Sequence, residues 1–181
     1  MSEVKSELAI GLIGCGVVGS QVVRLIQEDS GDFAARSGAK LRIKKIAVRD
    51  VNAKREGIDR NILTDDANSV VNDPEIDIII EVMGGIEPAR TLILTAMNNG
   101  KAVVTANKAL LAKHGAELFH ASDLADVDFY YDVESSLELK PGGIYRYKRI
   151  GMSLLASFLK ENILPLESCC YSVASAGRPI K

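Results

Sequence analysis

The stretch "AIGLIGCGVVGSQVV", residues 9–23, decides the fold. It sets glycines at 14, 16 and 19 between an apolar run and a segment in which Val18, Val22, Leu25 and Ile26 recur with helical spacing. Glycine costs backbone entropy and buries no side chain, so such a cluster needs a reason. The spacing GxGxxG, after a strand and at the head of an amphipathic helix, supplies one. The first glycine makes a tight turn, the second lets the backbone approach a pyrophosphate, and the third lets helix and strand pack closely. Amides at the helix start then face an anionic phosphate. Dinucleotide binding is the expectation. A tight turn without ligand, or the glycine loop of a nucleotide-methyl-donor enzyme, are the alternatives this context leaves open.

Outward from the loop, short apolar runs alternate with amphipathic segments. Strands are expected at 8–13, 41–48, 76–82, 102–106 and 128–132, the third buried on both faces because its isoleucines are unbroken. The clearest helix lies between Pro88 and Asn99, where Ala89, Leu92, Ile93, Ala96 and Met97 form one face and Gly100 is the stop. Strands separated by helices favour parallel pairing with right-handed crossovers. The fold class is therefore α/β, a doubly wound, mostly parallel sheet.

Composition sets the outer limits. At 181 residues and 47% apolar content the chain can bury one core of ordinary size. Its net charge of −2, from 24 acids and 22 bases, gives no overall attraction to nucleic acid or to an anionic membrane. The run "IDIIIEVM" is too short to span a bilayer and carries Glu81, while "MSEVKSELAI" mixes acids into the place of a signal peptide. A cytoplasmic protein with neither nucleic-acid nor membrane partners is expected. Cys15, Cys169 and Cys170 make no paired framework and have no CxxC spacing. His114 and His120 are six apart and do not share a helical face, so no metal site is expected. Cys15 reads as a small turn residue rather than a nucleophile, and Asp65, Asp66, Asp73 and Asp77 as cap and turn acids.

The end of the second strand in such a fold meets the adenosine ribose, where an acid selects a free 2′-hydroxyl and an arginine accommodates a 2′-phosphate. Here "AVRDVNAKRE", residues 47–56, gives Arg49 first, then Asp50, with Lys54 and Arg55 within reach. NADP is preferred on that charge pattern, and Asp50 keeps NAD open.

Residues 81–119, "EVMGGIEPARTLILTAMNNGKAVVTANKALLAKHGAELF", together with the glycine loop and "AVRD", closely resemble the nucleotide-binding domain of homoserine dehydrogenase. The resemblance covers about residues 8–132. It implies a Rossmann-like NAD(P)-binding domain over 1–133, followed by a divergent tail, 134–181, readable as a remnant of the start of the substrate domain. It also implies NAD(P)-dependent interconversion of L-homoserine and L-aspartate 4-semialdehyde, in threonine and methionine biosynthesis. On this resemblance the pyrophosphate loop maps onto Gly14, Cys15, Gly16, Val17, Val18 and Gly19, and the arginine after the second strand onto Arg49. Met83, Gly84 and Gly85 pass close to the cofactor, and Thr105, Asn107 and Lys108 lie near nicotinamide and substrate. Lys108 is the catalytic candidate. Aldehyde reduction by hydride builds negative charge on oxygen, which a nearby ammonium can stabilise or protonate. A second lysine, the family's principal acid/base, belongs to a substrate domain outside the matched residues.

The resemblance ends in "YYDVESSLELKPGGIYRYKRIG", residues 130–151. Asp132 stands where the family has the glutamate of a monovalent-cation site, and only Gly142, Gly143 and Ile144 match the end of the Ala/Gly turn that follows it. The basic group Lys140, Arg146, Lys148 and Arg149 reads as a solvated linker. Met152, Leu155, Phe158, Leu159 and Ile163 fit one helical face ended by Pro165, and "SCCYSVASA" a short strand. Their apolar face needs cover from the nucleotide domain or from a second subunit in a homo-oligomer. The resemblance implies that a chain ending at Lys181 lacks most substrate contacts. A non-catalytic NADP-binding module, a truncated remnant, or another oxidoreductase with a lysine after the fifth strand are the competing readings.

Overall fold

The computed structural model describes residues 5–28, 31, 34–35 and 39–131, and the backbone of 147–149. Its elements run β1 (Glu7–Ile13), α1 (Val17–Glu28), β2 (Lys40–Ala47), a 3-10 turn (Arg60–Ile62), β3 (Leu63–Thr64) and α2 (Asn68–Val71). They continue with β4 (Ile78–Glu81), α3 (Ala89–Asn98), β5 (Ala102–Thr105), α4 (Lys108–Ala125), β6 (Phe129–Tyr131) and β7 (Tyr147–Arg149). All five expected strands are present with slightly different ends. β3 and β7 are additional, and β3 is only two residues long, too short to carry an alternation.

Every strand pair is parallel, in the order β3-β2-β1-β4-β5-β6-β7. The order turns back between β1 and β4, the switch point outside which open α/β sheets hold their ligands. Alternation along the strands divides the core. Ile10 and Leu12 of β1, Ile80 of β4 and Val104 of β5 pack with Val22, Val23 and Ile26 of α1. Ile13, Ile79 and Val103 point the other way and pack with α2, α3 and α4. The sheet is thus covered on both faces, as the unbroken isoleucines of β4 require.

Helix α3 buries Ala89, Leu92, Ile93, Ala96 and Met97, the five residues expected from its spacing. Each side chain of leucine size so buried is worth about 1.5–3 kcal/mol of transfer free energy. In α1 the buried face is Gly19, Val22, Val23 and Ile26, whereas Val18 and Leu25 are half-buried. The rotation follows from Gly19, whose backbone is pressed against the preceding loop and so fixes which side of α1 faces the sheet.

Of the four acids expected at caps and turns, Asp66 caps a helix, Asp73 closes a turn and Asp77 holds the edge of β1. Asp66 accepts from the backbone N–H groups of Asn68 (2.9 Å) and Ser69 (3.2 Å) at the head of α2. Asp73 accepts from Glu75 N–H at 3.0 Å and pairs with Lys44 at 2.8 Å. Asp77 accepts from Ala9 N–H at 2.9 Å. Asp132, Lys140, Gly142, Gly143, Ile144, Arg146 and the expected tail helix and strand lie outside the described residues.

Candidate functional site

The three loop glycines meet three different surroundings. Gly14 has φ +95°, a conformation costly for any residue with a side chain, and a Cβ there would lie 2.7 Å from Met83 Cα. Its N–H donates to Ala47 O at 2.9 Å, so one residue joins the ends of β1, β2 and β4. A Cβ on Gly19 would lie 2.4 Å from Gly14 O, so only glycine allows α1 to start this close to the loop. A Cβ on Gly16 meets nothing within 4 Å. Among the described residues no packing explains glycine at 16. The open space above it, at the head of α1, suits an anionic group approaching the backbone.

Apolar side chains are left bare beside this opening. Val17, the first residue of α1, is 84% exposed, and Met83, in the loop after β4, is 36% exposed. Cys15 is half-buried, and burial pushes its thiol up in pKa against the opposing pull of Arg55. A thiol kept protonated in this way fits a turn-filling role.

Arg55 ties the turn after β2 to the glycine loop. Its guanidinium donates to Cys15 O (3.4 Å), Asp50 O (2.9 Å) and Ala53 O (3.0 Å). Asp50 turns its carboxylate into its own loop, accepting from Asn52 N–H at 2.8 Å. Arg49 is exposed, and among the described residues it has no hydrogen-bond or ion-pair partner.

The far side of the crevice is built by β4 and β5. Thr105 ends β5, and its hydroxyl accepts from Asn107 N–H at 3.1 Å. Asn107 caps α4 by accepting from Leu110 N–H (3.1 Å), and its side-chain amide donates to Gly85 O at 2.6 Å. Lys108 follows as the first residue of α4, with an exposed side chain. Beneath them lies Glu81, fully buried, which sequence reasoning noted only as an interruption of an apolar run. Its Oε1 accepts from the N–H groups of Met83 (2.8 Å) and Gly84 (3.2 Å), and its Oε2 from the Thr105 hydroxyl (2.6 Å). An acid at the end of a strand buried on both faces was the available signal, since such a group needs donors.

The structure thus joins Gly14 to Met83, Met83 and Gly84 through Glu81 to Thr105, and Gly85 to Asn107. Arg49 stands apart on the loop beyond β2. His114 faces Glu117 of its own helix at 3.3 Å, and among the described residues no three His, Cys, Asp or Glu side chains gather to hold a metal. No helix among them is long and apolar enough to cross a membrane.

Residues 14–132 match the family described as "Homoserine dehydrogenase, NAD binding domain". The chain is 45% identical over 127 residues to the homoserine dehydrogenase of Corynebacterium glutamicum, covering 70% of this chain and 28% of that protein. It is 46% identical over 125 residues to that of Mycobacterium tuberculosis, again covering 28% of the relative. A crystal structure of Staphylococcus aureus homoserine dehydrogenase superposes with a TM-score of 0.66 at 42% identity, over 70% of this chain and 32% of the other. The chain therefore spans less than a third of these relatives' length. With the glycine loop at the switch point, the two linked loops opposite it and the match over residues 14–132, this chain belongs to the family of homoserine dehydrogenase NAD-binding domains.

Proposed function

We propose that this chain is the cofactor-binding part of a homoserine dehydrogenase and that it takes NADP in preference to NAD. The observation that carries the reading is the open space over Gly16 at the head of α1, between a strained Gly14 and a tightly packed Gly19. A loop shaped only by its own packing has no use for glycine at the middle position. A pyrophosphate lying across it does.

The preference for NADP rests on Arg49 and Asp50. Asp50, the acid that would select a free 2′-hydroxyl, is engaged with Asn52 N–H, while Arg49 is exposed and unpaired among the described residues. A 2′-phosphate would meet a guanidinium with donors to spare. Gly14, Cys15, Gly16, Val17, Val18 and Gly19 would hold the pyrophosphate, and Met83, Gly84, Gly85, Thr105 and Asn107 would line the nicotinamide half. The nicotinamide supplies hydride exchange with a carbonyl carbon. Lys108, exposed at the start of α4, would stand at the reacting oxygen, where its ammonium stabilises negative charge or transfers a proton.

As part of a homoserine dehydrogenase, the name its relatives carry, it would serve the oxidation of L-homoserine, with L-aspartate 4-semialdehyde as the expected product. The segment after residue 133 would lead towards the substrate-binding part, and the site would lie in the cytoplasm. The test is equilibrium titration of the chain with NADPH and NADH at fixed salt, followed by nicotinamide fluorescence. Tighter binding of NADPH is expected. Binding of neither overturns the cofactor reading, and homoserine-dependent NADP reduction after the remainder of a relative is joined to the chain tests the reaction.

A further inference from the structure

Among the described residues Glu81 is the buried polar side chain at the mouth of the crevice that the roles above leave unassigned. It closes β4 at 0% exposure, where an apolar residue would avoid the cost of desolvating a carboxyl group. Among the described residues its donors come from the two loops bordering the crevice: Met83 and Gly84 after β4, and Thr105 at the end of β5. Resting on the cofactor reading, we propose that Glu81 is a positioning residue for the nicotinamide half of the dinucleotide. It clamps the loop 83–85 to the turn 105–108, so that both present a fixed surface to the ligand.

The hydrogen bonds close a ring. Oε2 of Glu81 accepts from the Thr105 hydroxyl, Thr105 Oγ1 accepts from Asn107 N–H, and Asn107 Nδ2 donates to Gly85 O, next to the Gly84 amide held by Oε1. A strand-end plug would need none of this geometry. Asn107 also caps α4 through Leu110 N–H, so the backbone carrying Lys108 is set by the same ring. The residues assigned to the pyrophosphate and to the 2′-phosphate, Gly16 and Arg49, are not members. Fragments of the cofactor therefore separate positioning from general stability.

The experiment uses the full 181-residue chain, with NADPH and adenosine 2′,5′-bisphosphate, which lacks nicotinamide, as probes. Glu81→Gln keeps one oxygen for the Met83 and Gly84 amides but puts an NH2 group where the Thr105 hydroxyl needs an acceptor. Thr105→Val removes that hydroxyl while keeping the side chain's shape. Both variants are expected to bind NADPH about tenfold more weakly while holding the bisphosphate within about twofold, the loss of one buried hydrogen bond felt at one end of the ligand. Thr105→Ser is expected to restore NADPH binding. Unchanged NADPH binding, or equal loss of both probes, overturns the inference. An unaltered chain that binds neither probe overturns the cofactor reading and this inference with it, whereas an unaltered chain that binds both leaves that reading standing whatever the variants do. If a variant fails to fold, amide exchange in the unaltered chain decides. Met83, Gly84 and Asn107 should slow together when NADPH binds, and slowing confined to residues 14–19 overturns the clamp.

Discussion

A Cβ on Gly19 would lie 2.4 Å from the carbonyl oxygen of Gly14, closer than any packed carbon tolerates, while one on Gly16 would meet nothing. Alanine should therefore act oppositely at the two positions. Gly19→Ala pushes α1 off the loop and is expected to cost about 1–3 kcal/mol in urea unfolding, as overpacking does. Gly16→Ala should unfold within about 0.5 kcal/mol of the parent, as a substitution free of contacts does. Its NADPH affinity is expected to fall at least about tenfold, because the methyl occupies space needed by phosphate oxygens. Normal NADPH binding by Gly16→Ala would mean that the pyrophosphate does not cross that residue.

Arg49 is exposed, so its replacement should touch binding and not stability. Arg49→Ala is expected to weaken NADPH about tenfold or more, the range of a charge-assisted hydrogen bond, and to leave NADH unchanged. Arg55→Ala should behave differently. Removing its donors to Cys15 O, Asp50 O and Ala53 O loosens the contact between the turn after β2 and the glycine loop, and both cofactors should weaken together. Titrations of the two variants against both cofactors distinguish a phosphate-reading arginine from a loop-holding one.

Local patterns carried much of the fold. The face of α3 could be read residue by residue because five apolar positions at helical spacing have one way to meet a sheet. In α1 the same rule put Val18 and Leu25 inward; the structure leaves them half-buried, Leu25 still packed on the core, and buries Val23, because the approach of Gly19 to Gly14 turns the helix. That contact belongs to the turn between β1 and α1, and the helical periodicity of α1 alone does not contain it. The glycine loop was legible since each glycine answers a local demand. Glu81 was not, because its partners Met83, Gly84 and Thr105 come together only when β4 and β5 pair. Asn107 was singled out by resemblance. Its double use, as the cap of α4 and as a donor to Gly85, depends on where a loop 22 residues away folds back.

Acid should weaken the edge where Asp73 meets Lys44. The Asp73 carboxyl is held below its usual 3.8, first by its hydrogen bond to Lys44, with further help from Glu75 N–H and Lys45, against the opposing effect of burial. A carboxylate whose folded pKa is depressed contributes stability that is complete above its unfolded value and is lost as pH falls through the folded one. Asp73→Asn is therefore expected to be less stable than the parent near neutral pH, with the gap shrinking below the ordinary 3.8. Urea unfolding of both proteins across the acid range checks this. A gap independent of pH would assign the loss to shape and not to charge.

Lys108 begins α4 directly after the Asn107 cap, and its side chain is exposed, so removing it leaves the apolar core packed as it is. Lys108→Ala should unfold like the parent and bind NADPH within about threefold, as expected for a solvent-facing change. In a chimera carrying the remainder of the Staphylococcus aureus relative, turnover is expected to fall at least about a hundredfold if the ammonium stabilises charge or moves a proton. Lys108→Arg separates those roles. A guanidinium still offers positive charge and donors but does not give up a proton near neutral pH, so recovered turnover assigns charge stabilisation and continued loss assigns proton transfer. Unchanged turnover in Lys108→Ala would remove this residue from the mechanism and leave the acid/base work to groups outside the present chain.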